Sequence, residues 1–267
     1  MLRFRPQRVN MQDGRTPVMY DREIDKLAFA ILKDYRPKLL EEPDKIDYEH
    51  FLENYLRAEI EFHDIYNDDP KQPVLALTAF TEGDIDVFDR ENECITTAYV
   101  PARTVVIDNA VIESEIEGVA RFSALHEAGH LTLHWRVFVD EYGDPYERNG
   151  DAASVVCCRR NNIESYGNNG RERTPADWCE HQADYFAAAI AMPNKTFQPF
   201  VNRILRENGV YKREIIIGRD SDLDILADDL LPEYISEAYG VSKRAARIKL
   251  RKTEFVISSN NMQYAVR

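Results

Sequence analysis

The stretch that most restricts this chain is Phe122–His134, which reads FSALHEAGHLTLH. His126 and His130 stand four apart, and Glu127 directly follows the first of them. In a helix, residues at that spacing share one face and lie about 6 Å apart along the axis. Two imidazoles so placed can grip one tetrahedral zinc through bonds of about 2.0–2.1 Å. Glu127 then reaches a water on that metal rather than the metal itself. His-Glu-x-x-His is the pattern at the core of zinc peptidases.

A catalytic zinc needs a third protein ligand and one open position. A histidine six beyond His130 is excluded, because Arg136 stands there and Leu133 occupies the intervening glycine position of that pattern. His134 is a second option. Along one straight helix it lies about 12 Å from His126, too far for both to hold one ion. A supporting or packing role suits it better. A carboxylate from a later helix is the third option, and Glu180 fits it. Asp184 follows Glu180 by one turn on the same face. In such a pair the glutamate can bind the metal while the aspartate holds the other ring nitrogen of a ligand histidine. His181 points elsewhere on that helix, and His50 and His63 have no pattern around them.

The rest of the chain is that of an ordinary globular protein. Its 267 residues are 44% hydrophobic and 30% charged, enough for one or two domains with a sizeable core. A net charge of -13 argues against a general binder of nucleic acid or anionic membrane. No apolar run approaches the roughly 18 residues of a spanning helix. The start, MLRFRPQRVNMQDG, lacks the apolar centre of a secretory signal. A cytoplasmic protein with no membrane partner is the expectation. Cys94, Cys157, Cys158 and Cys179 form no CxxC and no disulfide scaffold, so buried free thiols are expected rather than a vicinal bridge at 157–158.

Taken in order, residues 1–20 are basic and unpatterned, and read as a flexible leader. Ile24, Leu27, Ala28, Ile31 and Leu32 mark a helix over 22–36. Phe51, Tyr55, Leu56 and Ile60 mark a second helix. From Pro73 the runs PVLALTAF, IDVFD, CITTAYV and TVVIDNAVI predict three or four strands. Their links are too short for crossover helices, so the pairing is expected to be mainly antiparallel. A helix from about residue 114 to 135 carries the HEAGH stretch and seats Val119, Phe122, Leu125, Ala128 and Leu131 on the sheet. Residues 137–173 read as loops with one strand at SVVC, either a lip over a cleft or a surface insertion. Thr174-Pro175-Ala176-Asp177 is a strong helix start, with Thr as cap, Pro in the first turn and Asp near the positive end of the dipole. That helix stops at Pro193, and another spans 197–207. The tail has an acidic run and then Lys243, Arg244, Arg247, Lys249, Arg251 and Lys252 in one short helix. The break at Tyr239-Gly240-Val241-Ser242 is like the turn of a helix-turn-helix. The fold class is therefore α+β and mostly helical. A catalytic unit over 21–210 is expected, followed by a C-terminal helical segment over 211–267 that is free to pack on it.

HEAGHLTLH followed by EHQADYFAAAIAMP resembles the ImmA/IrrE family of metallo-endopeptidases, whose usual form is HELGHxxLH and then ExxANxFAAxLLMP. AYGVSKRAARIKL is similar to that family's tail, and the phrase from Ile46-Asp47 to Leu56 is similar to another of its segments. The likeness runs from about residue 44 to 255. Ala128 stands where Leu or Ile is usual, and Asp184 where Asn is common; either Asp or Asn can accept a hydrogen bond from an imidazole. The resemblance implies a gluzincin-like core, one zinc ion held by His126, His130 and Glu180, and Glu127 as catalytic base. It also implies a substrate: a DNA-binding repressor cut at one site.

The expected chemistry is water attack on a peptide carbonyl. Glu127 takes the proton and passes it to the leaving amine. A further donor for the oxyanion is expected, with Tyr99 and Tyr185 among the candidates. By analogy with related folds, strand 94–100 or 104–109 is expected to bind substrate along a sheet edge. Two other readings remain open: a non-proteolytic regulator that meets DNA or a partner through the basic helix, and a zinc hydrolase of non-peptide substrates. Direct DNA binding is disfavoured by the net charge and by the acidic run beside that helix.

Overall fold

The computed structural model describes residues 4–69, 71, 73–114, 117–139, 147–148, 151–152, 155–159, 174–212 and 214–258. The chain is α+β. Helix α1 (Asp21–Tyr35) buries Ile24, Ala28, Ile31 and Leu32, the apolar stripe read from its spacing. A short helix, α2 (Tyr48–His50), widens into a single broad turn over Phe51–Leu56 and then stops. Arg57 takes a left-handed conformation (φ 58) that closes the turn. The expected continuation of this helix through Ile60 does not occur. Ile60 lies instead on strand β1 (Glu59–His63). Its spacing from Leu56 matches a helix only by coincidence, because the backbone reversal at Arg57 resets the period.

Strands β2 (Val74–Ala79), β3 (Gly83–Asp89), β4 (Cys94–Val100) and β5 (Thr104–Asp108) follow the sequence reading closely. After them come α3 (Asn109–Glu113), α4 (Glu117–Leu133), α5 (Trp135–Phe138), and the short strands β6 (Glu147–Arg148), β7 (Asp151–Ala152) and β8 (Val155–Arg159). The main sheet runs β1-β5-β2-β8. Strand β2 is antiparallel to both its neighbours, while β1 lies parallel to β5. Residues 104–108 are therefore interior to the sheet, so their expected role as a substrate-binding edge is ruled out. β3 and β4 form a separate hairpin.

The sheet has two covered faces. Ala76, Phe80, Val105 and Ile107 belong to the large core with Ala120, Ala124, Leu125, Ala128 and Leu131 of α4. Val119 and Phe122 sit at its margin. Leu77, Ala79 and Val106 face the other way and join Ile85, Val87 and Val100 of the hairpin in a smaller core. The alternation of β2 thus turns Thr78, fully buried, toward α4.

Helix α6 (Pro175–Ala191) opens as expected. Thr174 Oγ1 accepts from Asp177 N at 3.1 Å, and Asp177 Oδ2 accepts from Thr174 N at 2.9 Å. Helix α7 (Asn194–Glu207) begins directly after Pro193, three residues earlier than its apolar pattern. The C-terminal segment holds β9 (Ile215–Ile217), α8 (Ser221–Ile225), α9 (Leu231–Tyr239), α10 (Lys243–Lys252) and β10 (Val256–Ser258), with β10 parallel to β9. Ile215, Leu226, Leu231, Ile235, Tyr239, Ala246, Leu250 and Phe255 all lie in the large core, so this segment shares the interior of the elements before it. Gly240 turns the chain at φ 62, and Arg121 of α4 donates to its carbonyl and to that of Ile46.

Two expectations change. Residues 4–20 are not a loose leader: Val9 and Pro17 form a bridge, and Thr16 and Met19 are buried. The thiols are not all buried either, because Cys94 is exposed on β4 while Cys179 is buried. Most of the 137–173 stretch, including residues 140–146 and 160–173, lies outside the described residues, as do the side chains of Cys157 and Cys158. The backbone strand expected at SVVC is β8. Among the described residues no helix is long and apolar enough to cross a membrane.

Candidate metal centre

Two helices make the site. α4 supplies His126 and His130, and α6, packed against it, supplies Glu180. The close approach depends on small residues. A methyl group at Gly129 would lie 3.0 Å from Ala183 Cα and 3.2 Å from the Ala183 carbonyl oxygen. Gly129 is the glycine of HEAGH, and Ala183 stands between Glu180 and Asp184. The residues that let the helices touch are thus interleaved with those that would hold the metal.

The ligand atoms converge. His126 Nε2 and His130 Nε2 are 3.0 Å apart. Glu180 Oε2 is 3.3 Å from the first, and Glu180 Oε1 is 3.5 Å from the second. The two carboxylate distances end on different oxygens; with one ligand atom taken from each residue, the three atoms all lie within 4.8 Å of one another, close enough to converge on one ion. The donor set, two imidazoles and a carboxylate, suits a divalent ion such as zinc. Both imidazoles are buried, His126 at 1% and His130 at 0% exposure. His126 Nδ1 lies 2.8 Å from Asp184 Oδ1. A carboxylate only accepts, so Nδ1 carries the hydrogen and the Nε2 lone pair is left for the metal.

Glu127 lies fully buried beside this group. Its Oε2 accepts from Thr78 Oγ1 at 2.6 Å, while its Oε1 is buried without a hydrogen-bond partner. A buried orphan oxygen is costly unless something polar meets it. A water on an ion held by His126, His130 and Glu180 would be such a partner. Burial pushes the Glu127 carboxyl above its ordinary value, against the pull of His130, His126 and the Thr78 hydroxyl. Glu180 goes the other way. Burial would raise it, but His130 and His126 outweigh that and hold it well below the usual carboxylate range. The two carboxyl groups are thereby pushed in opposite directions by their surroundings.

No family model matches this chain, and no curated protein matches it by sequence.

The remaining candidates fall outside the ligand group. His134 meets His130 from behind, Nδ1 to Nδ1 at 3.1 Å, and burial first, then His130, pushes its pKa down to about 3. His181 turns to Asp21 of α1 at 3.0 Å. His50 pairs with the Tyr35 hydroxyl and His63 with Glu61. The Tyr185 hydroxyl donates to Asp25 at 3.0 Å, and that of Tyr99, on the exposed face of the hairpin, donates to Glu82 at 2.9 Å. Both tyrosine hydroxyls are therefore engaged elsewhere. Sequence reasoning missed Thr78, Gly129 and Gln182. The glycine and Ala183 could have been found, as small residues flanked by ligands on two helices. Thr78 had no signal beyond lying on a strand.

Proposed function

We propose that the protein is a zinc-dependent endopeptidase of the ImmA/IrrE kind, with His126, His130 and Glu180 as ligands, Glu127 as catalytic base and Asp184 orienting His126. The observation that carries the proposal is the pairing of a convergent His-His-Glu group with a buried, half-satisfied carboxylate directly beside it. Zinc would supply Lewis-acid chemistry, polarising a carbonyl and acidifying a water. Glu127 is placed to take the proton of the attacking water, and its raised pKa suits the return of that proton to the leaving amine. Thr78 holds one carboxylate oxygen so that the other faces the reaction. Asp184 fixes the His126 ring.

The substrate class comes from the sequence resemblance: a repressor-type regulator, met in the cytoplasm. The outer strands of the main sheet are β1 and β8, and β8 is the one that pairs with the strand carrying Thr78. An extended peptide laid along β8 is the binding mode in keeping with that order.

A DNA-binding role for α10 has less in its favour. Lys243 pairs with Glu233, Arg247 with Asp229 and the Asp228 carbonyl, and Arg251 with Asp228, while Lys249 is buried. The helix spends much of its charge inside the molecule. A filter-binding assay at two salt concentrations separates the readings, because phosphate contacts give a steep salt dependence. The peptidase reading is tested by purifying the protein, measuring bound metal, and incubating it with repressor-type DNA-binding proteins from the same source, with and without chelator. Cleavage that a chelator abolishes is expected. A folded protein that takes up no divalent metal ends the proposal.

A further inference from the structure

A ligand histidine must have its second ring nitrogen occupied if its direction is to be held. His126 meets this need through Asp184, but His130 does so differently. Its Nδ1 faces another imidazole nitrogen, His134 Nδ1, at 3.1 Å, with both rings fully buried. Two facing nitrogens can share only one hydrogen. Which ring carries it has to be decided further along.

The deciding contact is Gln182, also fully buried. Its Nε2 donates to the main-chain carbonyl of Pro17 at 2.6 Å. A carbonyl can only accept, so the amide nitrogen must face Pro17 and the amide oxygen must face His134. His134 Nε2 lies 3.1 Å from that oxygen. The oxygen accepts, so His134 Nε2 carries the hydrogen. A neutral imidazole has one N–H, which leaves His134 Nδ1 as an acceptor. His130 Nδ1 must then donate, and its Nε2 lone pair is left bare toward His126 and Glu180. The opposite polarity would set the His134 Nε2 lone pair against the Gln182 oxygen at 3.1 Å, two buried acceptors with no hydrogen between them.

We propose that His134 and Gln182 are positioning residues that set the tautomer and direction of His130, anchored on the main chain of the N-terminal segment at Pro17. The inference rests on the metal-centre reading above and extends it to residues that touch neither metal nor substrate. Its anchor is itself held. Thr16 O accepts from Asn10 N at 2.8 Å, Val18 N donates to Arg8 O at 3.0 Å, and Asp13 Oδ1 accepts from the main-chain N–H groups of Arg15 and Thr16 at 3.0 Å each. The turn around Pro17 is thus a fixed part of the site rather than a leader in front of it. Anything that unseats residues 8–18 is expected to loosen metal binding.

The test uses the full chain, loaded with zinc alone. In protein carrying 15N-labelled histidine, NMR should show His134 neutral with its hydrogen on Nε2, and a scalar coupling across the hydrogen bond from His130 Nδ1 to His134 Nδ1. His134 found with its hydrogen on Nδ1, or found doubly protonated, overturns the proposal without any mutation. Zinc affinity is then measured by competition with a chromophoric chelator. Gln182→Met should weaken it by about 10–100-fold, the usual effect of losing a residue that orients a ligand. Gln182→Glu, isosteric and able when protonated to serve both His134 and Pro17, should recover most of the loss at mildly acid pH. A Gln182→Met affinity within about a factor of two of wild type overturns the inference while leaving the metal centre standing. Failure of the wild type to bind zinc removes both.

Discussion

Gly129→Ala is the sharpest test of how the two ligand helices are held. In an ordinary helix interior this change is stabilising by about 1 kcal/mol, because alanine loses less backbone entropy. Here the added methyl would stand 3.0 Å from Ala183 Cα, 3.2 Å from the Ala183 carbonyl oxygen and 3.3 Å from Phe186 Cδ1. Carbon atoms rest at about 3.5–4.0 Å, so α6 must give way by a few tenths of an ångström. Two of the three neighbours are main chain and cannot rotate away. Overpacking of this kind costs about 1–3 kcal/mol, which cancels or exceeds the helix gain. Glu180 and Asp184 flank Ala183 and move with it. Metal sites tolerate displacements of about 0.2 Å, so zinc affinity should fall by about 10–100-fold, or about 1.4–2.7 kcal/mol. Chelator competition measures the affinity, and thermal unfolding of the metal-free protein measures the packing cost. A variant with raised melting temperature and unchanged zinc affinity would show that the helices do not meet through this glycine.

Other perturbations test other parts of the argument. Glu127→Gln should keep zinc and lose cleavage by about 10²–10⁴-fold or more; retained cleavage, in a preparation free of host proteases, would remove Glu127 from its role. Lys249 is buried among Tyr185, Phe197, Asp21, Asp25 and Lys252, and burial pushes its pKa down to about 8 despite the aspartates. Below that value both folded and unfolded chains carry the proton and the folded state bears the full penalty of burying the charge. From about 8 to the ordinary value of 10.5 only the unfolded chain keeps the proton, so the stability of the wild type climbs with pH. Lys249→Met should therefore be more stable than wild type at neutral pH by about 1–3 kcal/mol, a margin that urea titrations should find shrinking across that window; a margin that does not change with pH counts against the buried charge. Thr174→Ala should cost about 1 kcal/mol in unfolding free energy through loss of the α6 cap, and a change indistinguishable from zero would mean the cap holds nothing. With free zinc at about a hundred times its dissociation constant, adding chelator should lower stability by about 2.7 kcal/mol; an unmoved melting temperature would mean that no zinc was bound.

What the sequence carried by itself was whatever depends on neighbours a few residues away. The spacing of His126 and His130, the cap at Thr174 and Asp177, the α1 stripe and the strand runs are all local patterns, and each corresponds to an element of the structure. Local pattern failed where a single backbone angle overrode it, as at Arg57, where a left-handed turn moved Ile60 from helix to strand. It failed also for the N-terminal segment, whose polar composition hid a buried Thr16 and a carbonyl that meets Gln182.

Only the tertiary structure decided which groups meet across long stretches of chain. Thr78 reaches Glu127 because β2 is interior to the sheet under α4, and no local rule sets the order of strands. Gln182 reaches Pro17 and His134 together because α6 lies between the N-terminal turn and α4. A sequence can state that two imidazoles share a helix face. Which lone pairs they present depends on hydrogen bonds closed by residues far away in the chain, and those exist only once the helices are packed.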